Sequence, residues 1–139
     1  MASAATTKTK KAYFYGLGRR KSATARVRLI PGKGEILINN KSAKEYFSNS
    51  KYLLNKLNEP FVVVDQVNKF DISAKVLGGG QDGQIEAIRL GIAKSLVALN
   101  TDLKSTLKRA DLLGRDSREK ERKKFGLKGA RKRRQFTKR

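Results

Sequence analysis

Apolar and polar side chains alternate with a period of two along residues 23–30, and this pattern predicts a β-strand. The apolar side of the alternation consists of Ala23, Ala25, Val27 and Leu29. The other side carries Arg26 and Arg28, so the strand would present two cations on one face. Pro31–Gly34 has the composition of a turn, and Glu35–Asn39 is predicted to return as the second strand of a hairpin.

A shorter strand is predicted before this hairpin. Tyr13–Leu17 is aromatic and β-prone, and it runs into Gly18. Arg19, Arg20 and Lys21 are then predicted to form a turn with three consecutive positive charges. On a strand, two of the three consecutive aromatic side chains face one side and the third faces the other. Packing in the core and stacking on unpaired RNA bases are both open to them, and we expect at least one in the core.

Short helices are predicted in the middle of the chain. Ser42–Glu45 fits a capping box, in which the serine accepts from the first turn and the glutamate reaches back, and a short helix continues through Phe47. Lys51–Leu57 predicts another helix, which Pro60 is expected to end. Phe61–Val67 then predicts a strand.

A further strand and a long helix complete the pattern. Phe70–Leu77 is predicted as a strand, joined to the preceding one by Asn68-Lys69. The helix follows the glycine-rich segment Gly78–Gly83, and its apolar stripe has spacings of three and four, at Ile85, Ile88, Ile92, Leu96 and Leu99. A neighbouring row of small residues would let this helix lie close on a sheet: Ala87, Gly91 and Ser95. Thr101 is predicted to cap a last helix that reaches Ala110.

The formal net charge of +21 on 139 residues is distributed unevenly. Residues 1–30 hold eight Lys or Arg and no acid, residues 31–114 hold twelve against nine acids, and residues 115–139 hold thirteen against three. We therefore expect a basic disordered arm over residues 1–11, an α/β domain over residues 12–114 and a basic extended tail from 115 onward. Such asymmetry indicates a polyanionic partner, with nucleic acid ahead of an anionic membrane.

Catalysis has few residues to use. The chain has no Cys and no His, which excludes disulfides, Cys/His zinc sites, Cys nucleophiles and His general bases. No apolar run has the length of a membrane span. Glu86 and Arg89 are expected to pair on a helix surface, and the acids show no recognisable catalytic dyad or metal cluster. We expect no enzymatic activity and no cofactor.

The glycine-rich segment matches G-x-G-x-x-G between a predicted strand and a predicted helix, the context of a dinucleotide-binding fingerprint. The match fails further on, because Asp102 starts a helix instead of ending a second parallel strand. Gln84-Ile85 also replaces the Lys and Ser/Thr of a phosphate-binding loop. The glycines either form a tight strand-to-helix turn or present helix N-terminal amides to an RNA phosphate, at Gly78, Gly79 and Gly80.

Three blocks occur in order along the chain: GLGRRKSATARVRL (Gly16–Leu29), GGGQDGQIEAIRLGIAKSL (Gly78–Leu96) and DSREKERKKFGLKGARKRRQFTKR (Asp116–Arg139). Together they resemble the family of the ninth protein of the small ribosomal subunit, of bacterial or organellar type. The resemblance runs from about Tyr13 to the last residue. Three ordered blocks make it more specific than any single glycine motif.

The resemblance implies a two-layer α/β (α+β) fold, a mixed sheet with helices packed on one face, like the second domain of ribosomal protein five, followed by a long basic C-terminal tail. It implies a structural constituent of the head of the small ribosomal subunit, bound to ribosomal RNA beside neighbouring ribosomal proteins. It also implies a tail tip that approaches the peptidyl-site tRNA. The expected location is the ribosome of the cytoplasm, with an organelle ribosome as the alternative, and no cofactor or catalysis accompanies the family.

The cations are the expected site residues. Candidate rRNA contacts in the domain are Arg19, Arg20, Lys21, Arg26 and Arg28. Candidate rRNA contacts in the tail are Arg118, Arg122, Lys123, Lys124, Lys128, Arg131, Lys132, Arg133 and Arg134. Candidate tRNA contacts are Lys138 and Arg139 at the tip, while Phe125 and Phe136 are expected to stack on RNA or wedge against another protein. Arg133-Arg134 stand where the family usually has a small residue and a proline.

Two other functions remain open at this point. A nucleoid-type DNA-binding protein would share the charge, but it would prefer duplex DNA and would not associate with ribosomes. A nucleotide-binding enzyme would use the loop Gly78–Gly83 and would bind ATP or NAD tightly.

Overall fold

The computed structural model describes residues 12–138, so the arm predicted over residues 1–11 lies outside the described residues. In chain order the elements are β1 (Phe14–Arg20), β2 (Ala23–Pro31), β3 (Ile36–Ile38), β4 (Lys41–Ser42), α1 (Ala43–Tyr46), α2 (Lys51–Val63), β5 (Phe70–Leu77), α3 (Gln81–Leu99) and α4 (Leu103–Arg109). The strands form one sheet in the order β1-β2-β5-β3-β4. The bounds of the domain and the tail stay predictions.

The sheet is mixed, as expected. β2 pairs antiparallel with both β1 and β5, β3 runs parallel to β5, and β4 runs antiparallel to β3. The buried core lies between one face of this sheet and the helices, and β2, β5 and α3 supply most of it. The two-layer α/β fold class is therefore confirmed.

The hairpin predicted between the second and third strands is wrong. Both edges of β2 are already occupied, by β1 and β5, and β3 pairs with the far edge of β5. Asp71 explains the path of the connecting loop, because its Oδ1 atom accepts hydrogen bonds from the backbone amides of Lys33, Gly34 and Glu35 at 2.9, 3.0 and 2.9 Å. These bonds carry the chain across the end of β5 before β3 begins.

The strand predicted over Phe61–Val67 is also wrong, because α2 continues to Val63 with Pro60 inside it. A proline inside a helix costs about 3 kcal/mol or more. Pro60 and Phe61 are both buried, on the same side of the helix as Leu57. Burying a large apolar side chain contributes about 1.5–3 kcal/mol, so keeping this face against the core offsets the lost helix hydrogen bond.

The two predicted helix caps differ in outcome. The Oγ atom of Ser42 accepts a hydrogen bond from the amide of Glu45 at 3.3 Å, so the serine cap of α1 is confirmed. The Thr101 cap is wrong, because Asp102 occupies the N-cap of α4. The side chain of Asn100 accepts from the amide of Asp102 at 3.0 Å, and this local turn shifts the start of the helix by one residue.

The small residues of α3 pack directly against β1, as predicted from their spacing. A Cβ atom added at Gly18 would overlap the carbonyl oxygen of Ala87, and one added at Gly16 would overlap that of Gly91. The backbones of strand and helix therefore touch without an intervening layer of side chains. Because β1 buries its even-numbered positions here, its odd-numbered positions lie on the outer face of the sheet.

Candidate nucleic-acid interface

The outer face of the sheet, opposite the helices, carries four exposed cations. Arg19 lies on β1, Arg26 and Arg28 lie on β2, and Lys75 lies on β5. Sequence reasoning missed Lys75, although the alternation of buried and exposed positions along β5 could have identified it. β1 extends through Arg20, so the tight turn predicted over residues 19–21 begins only at Lys21, which is exposed and has a φ of 52°.

Two tyrosine rings accompany these cations. Tyr13 and Tyr15 are about half exposed, at 50% and 49%, whereas Phe14 faces the other side and packs against the core. The prediction that at least one of the three aromatics belongs to the core is confirmed. The guanidinium carbon of Arg28 lies 4.9 Å from the centroid of the Tyr13 ring, and Arg28 is the cross-strand partner of Tyr15.

A cleft of about 650 Å³ opens on the same face. Its walls include Arg26 and Lys75, which are cross-strand partners, and the β3–β4 turn at Asn39 and Asn40. The side chain of Asn39 accepts from the amide of Val76 at 2.9 Å and donates to its carbonyl at 3.1 Å, which holds that wall against β5. The residues that line the cleft include two cations and no acid.

The glycine loop lines this cleft at Gly78. Gly78 and Gly79 have φ values of 73° and 69°, which favour glycine, and Gly80 is the N-cap of α3. The side-chain amide of Gln84 donates to the Gly78 carbonyl at 3.0 Å. The tight strand-to-helix turn is thus confirmed, while a phosphate contact at this loop stays a prediction.

Arg20 lies on the opposite side of β1 from Arg19 and is only 7% exposed. Its Nε atom donates to Oε2 of Glu86 at 2.5 Å, and one of its terminal nitrogens lies 3.3 Å from a carboxylate oxygen of Asp116. Nη1 also donates to the carbonyl of Arg118 at 2.5 Å. The guanidinium therefore joins β1 and α3 to the start of the tail. Its charge is paired with groups of the protein itself.

The surroundings of Glu86 also differ from the expected helix-surface pair. Glu86 interacts with Arg20 and, at 3.7 Å, with Lys56 of α2. Arg89 pairs instead with Glu59, at 2.7 Å. Sequence spacing within α3 could not indicate these partners, since each comes from another element.

The two carboxylates at this junction have lowered pKa values. Burial raises the pKa of Glu86, but the hydrogen bond and charge of Arg20, with the charges of Lys56 and Arg89, outweigh burial and hold it below its ordinary value of 4.5. The pKa of Asp116 lies well below its usual range because the side chain and backbone amide of Arg118 both donate to it. Both groups are ionised at neutral pH, so the tail is anchored by charged partners.

Beyond this anchor the tail folds loosely upon itself. Glu121 pairs with Lys124 and, at 3.2 Å, with Arg131, while the amide of Lys128 donates to the carbonyl of Lys132 at 2.8 Å. Ion pairs between exposed side chains contribute about 0–1 kcal/mol, so a phosphate can replace these carboxylate partners at little cost.

Most of the predicted tail contacts are open to solvent. The exposed cations are Arg118, Arg122, Lys123, Lys128, Arg131, Lys132, Arg133, Arg134 and Lys138, and Lys124 is half-buried. Phe125 and Phe136 are 99% and 87% exposed, so the described chain buries neither ring. The last candidate, Arg139, lies outside the described residues.

The described part of the chain offers neither a metal site nor a membrane span. Between residues 12 and 138, no group of three or more acids could hold a metal ion. Within the same range, no helix has both the length and the apolar character needed to cross a membrane.

Comparison with known proteins identifies the family. A family model described as ribosomal protein S9/S16 matches residues 18–139. Proteins named small ribosomal subunit protein uS9 match over 126 residues, or 91% of this chain: 56% identical in Mycoplasma mobile and 52% identical in Malacoplasma penetrans, covering 96% of each relative. The protein of that name from Ureaplasma parvum is 50% identical over the same length. The chain therefore belongs to the ribosomal protein S9 family.

Proposed function

We propose that this protein is a structural constituent of the small-subunit head in a cytoplasmic ribosome, where it binds rRNA and touches the peptidyl-site tRNA with its tail. The observation that carries the proposal is the anchored tail. Arg20 fixes its base to the domain, and the cations that follow are exposed. Family membership supports the ribosomal assignment.

The domain and the tail have different tasks in this mechanism. Arg19, Arg26 and Arg28 neutralise rRNA phosphates from a rigid sheet, and binding gains free energy from the release of counterions. The exposed tail cations exchange their weak carboxylate partners for phosphates between RNA helices. Arg20 has a different role, because its guanidinium is occupied by Glu86, Asp116 and Arg118.

The tip is assigned to tRNA because the family resemblance implies this contact, and a thin chain can enter a space too narrow for a folded domain. Lys138 is exposed at the end of the described tail, and Arg139 follows it in the sequence with a guanidinium. These groups hold the anticodon stem-loop by charge and hydrogen bonding, without chemistry. This grip would help to maintain the reading frame.

Removal of Lys138 and Arg139 tests the tRNA role. Ribosomes with the shortened protein should assemble normally and bind peptidyl-site tRNA more weakly. A matched control replaces Lys132 and Arg133 by Gln, which removes the same charge from the part of the tail assigned to rRNA. Equal tRNA affinity in ribosomes with full-length and shortened protein would refute the tRNA contact.

Sedimentation of a cell lysate tests the ribosomal role. The protein should follow the small subunit and should leave it only at high salt. A nucleoid-type DNA-binding protein, the alternative that shares the same charge, would instead remain with DNA and would be released by DNase.

A further inference from the structure

We propose that the outer face of the sheet binds an unpaired segment of RNA, with bases stacked on Tyr13 and Tyr15 and the backbone held by Arg26 and Lys75. This rests on the proposed rRNA binding and specifies which kind of RNA the domain takes. The tail and the domain would then recognise different features of RNA.

The tyrosine rings provide the first argument. Both are about half exposed on a sheet whose opposite face is filled by helices, so neither belongs to the core. The Arg28 guanidinium contacts the Tyr13 ring, and Arg28 is the cross-strand partner of Tyr15, so this arginine and the two tyrosines are neighbours on the outer face. Aromatic rings and guanidinium planes on a sheet stack unpaired bases, and such sheets commonly take two or three.

The charge of this face favours a polyanionic partner, and the proposed rRNA binding indicates that this polyanion is RNA. Four cations project from β1, β2 and β5: Arg19, Arg26, Arg28 and Lys75. The nearby acid on β5, Asp71, accepts from three successive loop amides, which direct its carboxylate toward the loop. A neutral or cationic protein surface would leave these cations uncompensated, whereas a nucleic acid backbone neutralises them.

The cleft beside the rings provides the second binding element. Arg26 and Lys75 lie directly opposite each other in neighbouring strands, about 5 Å apart at the backbone. The Asn39 wall is held by its two hydrogen bonds to Val76, so the cleft is formed before any ligand arrives. A phosphate between the two cations would place the following nucleotides along the strand direction, toward Tyr15.

Unpaired RNA fits this arrangement better than a duplex does. Stacking needs bases whose faces are open, and a duplex keeps those faces covered by neighbouring base pairs. The backbone of a duplex could still reach the cations, but the rings would then add nothing.

The test uses the full chain and two labelled RNAs, an unpaired decanucleotide and a blunt duplex of ten base pairs. Replacing both Tyr13 and Tyr15 by Ala should lower affinity for the decanucleotide by about 5-fold or more, the loss expected for one stacked base. The salt dependence should not change, because no charge is removed. Affinity for the duplex should stay within experimental error.

Three further variants make the result specific. Tyr13→Phe with Tyr15→Phe keeps both rings and should bind as the parent chain does. Tyr13→Leu with Tyr15→Leu keeps apolar bulk without aromaticity and should lose affinity like the alanine variant, even if the alanine variant folds poorly. Tyr52→Ala is the matched control, since Tyr52 is 64% exposed on α2, away from the outer face.

Arg26→Gln with Lys75→Gln tests the cleft separately. The slope of log affinity against log salt for the decanucleotide should become shallower by about 1.4, or about 0.7 for each lost phosphate contact. An unchanged slope would show that the cleft cations do not hold the backbone.

The outcomes separate this inference from the function on which it rests. If the alanine variant binds the decanucleotide as the Tyr52 control does, or loses equal affinity for both RNAs, the sheet face is not a stacking surface, while tail-mediated RNA binding stands. Failure of the parent chain to bind any RNA would contradict the proposed function itself. In assembled subunits, ultraviolet crosslinks from Tyr13 or Tyr15 should reach RNA, and crosslinks to protein alone would overturn the proposal.

Discussion

The Nε atom of Arg20 donates a hydrogen bond to Oε2 of Glu86 at 2.5 Å, between residues 66 positions apart in the sequence. The pair joins β1 to α3, and the remaining donors of the same guanidinium reach Asp116 and Arg118. One buried side chain therefore connects both layers of the domain with the first residues of the tail.

Loss of this side chain should loosen the base of the tail. Arg20→Gln leaves the Glu86 carboxylate with a weaker partner, and we expect the free energy of unfolding to fall by about 1–3 kcal/mol. Trypsin should also cleave near Arg115 faster than in the parent chain. Arg20→Lys should rescue only part of the loss, because an ammonium group cannot serve three acceptors in the geometry of a guanidinium.

Arg19→Gln is the control, since it removes the same charge from the exposed neighbouring position. It should leave stability unchanged within about 0.5 kcal/mol. Equal destabilisation by the two variants would show that net charge, rather than the anchor, explains the effect.

The same anchor predicts a pH dependence. The folded pKa of Glu86 is lower than its ordinary value of 4.5, so its ionised form stabilises the fold. This contribution is fully present above pH 4.5 and is lost as the pH falls through the folded pKa. Thermal unfolding from pH 7 to pH 3 should show a smaller loss of stability for Glu86→Gln than for the parent chain. Parallel pH profiles would contradict the assignment.

Gly18→Ala should be among the most damaging single substitutions in the chain. The added methyl group would overlap the carbonyl oxygen of Ala87, and the backbones of β1 and α3 would have to separate. Overpacking of this kind costs about 1–3 kcal/mol or more, measurable by urea unfolding. Gly114→Ala is the control, because a Cβ atom there meets no other atom within 4 Å. A Gly18→Ala variant as stable as that control would exclude direct strand–helix contact.

The charge of the terminal segment sets the salt dependence of RNA binding. Phe125–Arg139 carries seven positive side chains and no acid. If all seven neutralise phosphates, deletion of this segment should make the salt slope for unpaired RNA shallower by about 5, at about 0.7 per contact. Filter binding between 50 and 400 mM salt provides the measurement. A change near zero would reject phosphate neutralisation by the tail.

The spacing of apolar residues within single segments predicted much of the domain, because an element that packs one face on the core must carry apolar residues on that face. The alternation along β2 and the three-and-four spacing along α3 both follow from one face packing on the core. The row of small residues on α3 also predicted that this helix lies close on the sheet, and the structure shows that the strand whose backbone it touches is β1. These features can be predicted from neighbouring residues alone, without knowing which distant segments pack against them.

The wrong predictions involve partners that are distant in sequence. Pro60 stays within α2 because Phe61 is buried by other elements, and β3 pairs with β5 because Asp71 binds the loop before it. Arg20 resembles its neighbours Arg19 and Lys21 in sequence, and only its position on the inner side of β1 separates it from them. Among the candidate site residues, the alternation along β2 correctly placed Arg26 and Arg28 on one exposed face, but the sequence did not reveal that Arg20 faces inward, and Lys75 was missed.

The anchor at Arg118 also determines how far the tail can reach. Lys138 follows it by 20 residues, and a fully extended chain spans at most about 3.3–3.6 Å per residue, so the tip can lie no more than about 70 Å from the anchor. Without the Arg20 contacts, the free part of the tail would begin near Leu112 and its tip could reach a larger volume. Its effective concentration at any one target would therefore fall. By shortening this tether, the contacts of Arg20 with Asp116 and Arg118 raise the effective concentration of Lys138 at any target within its reach.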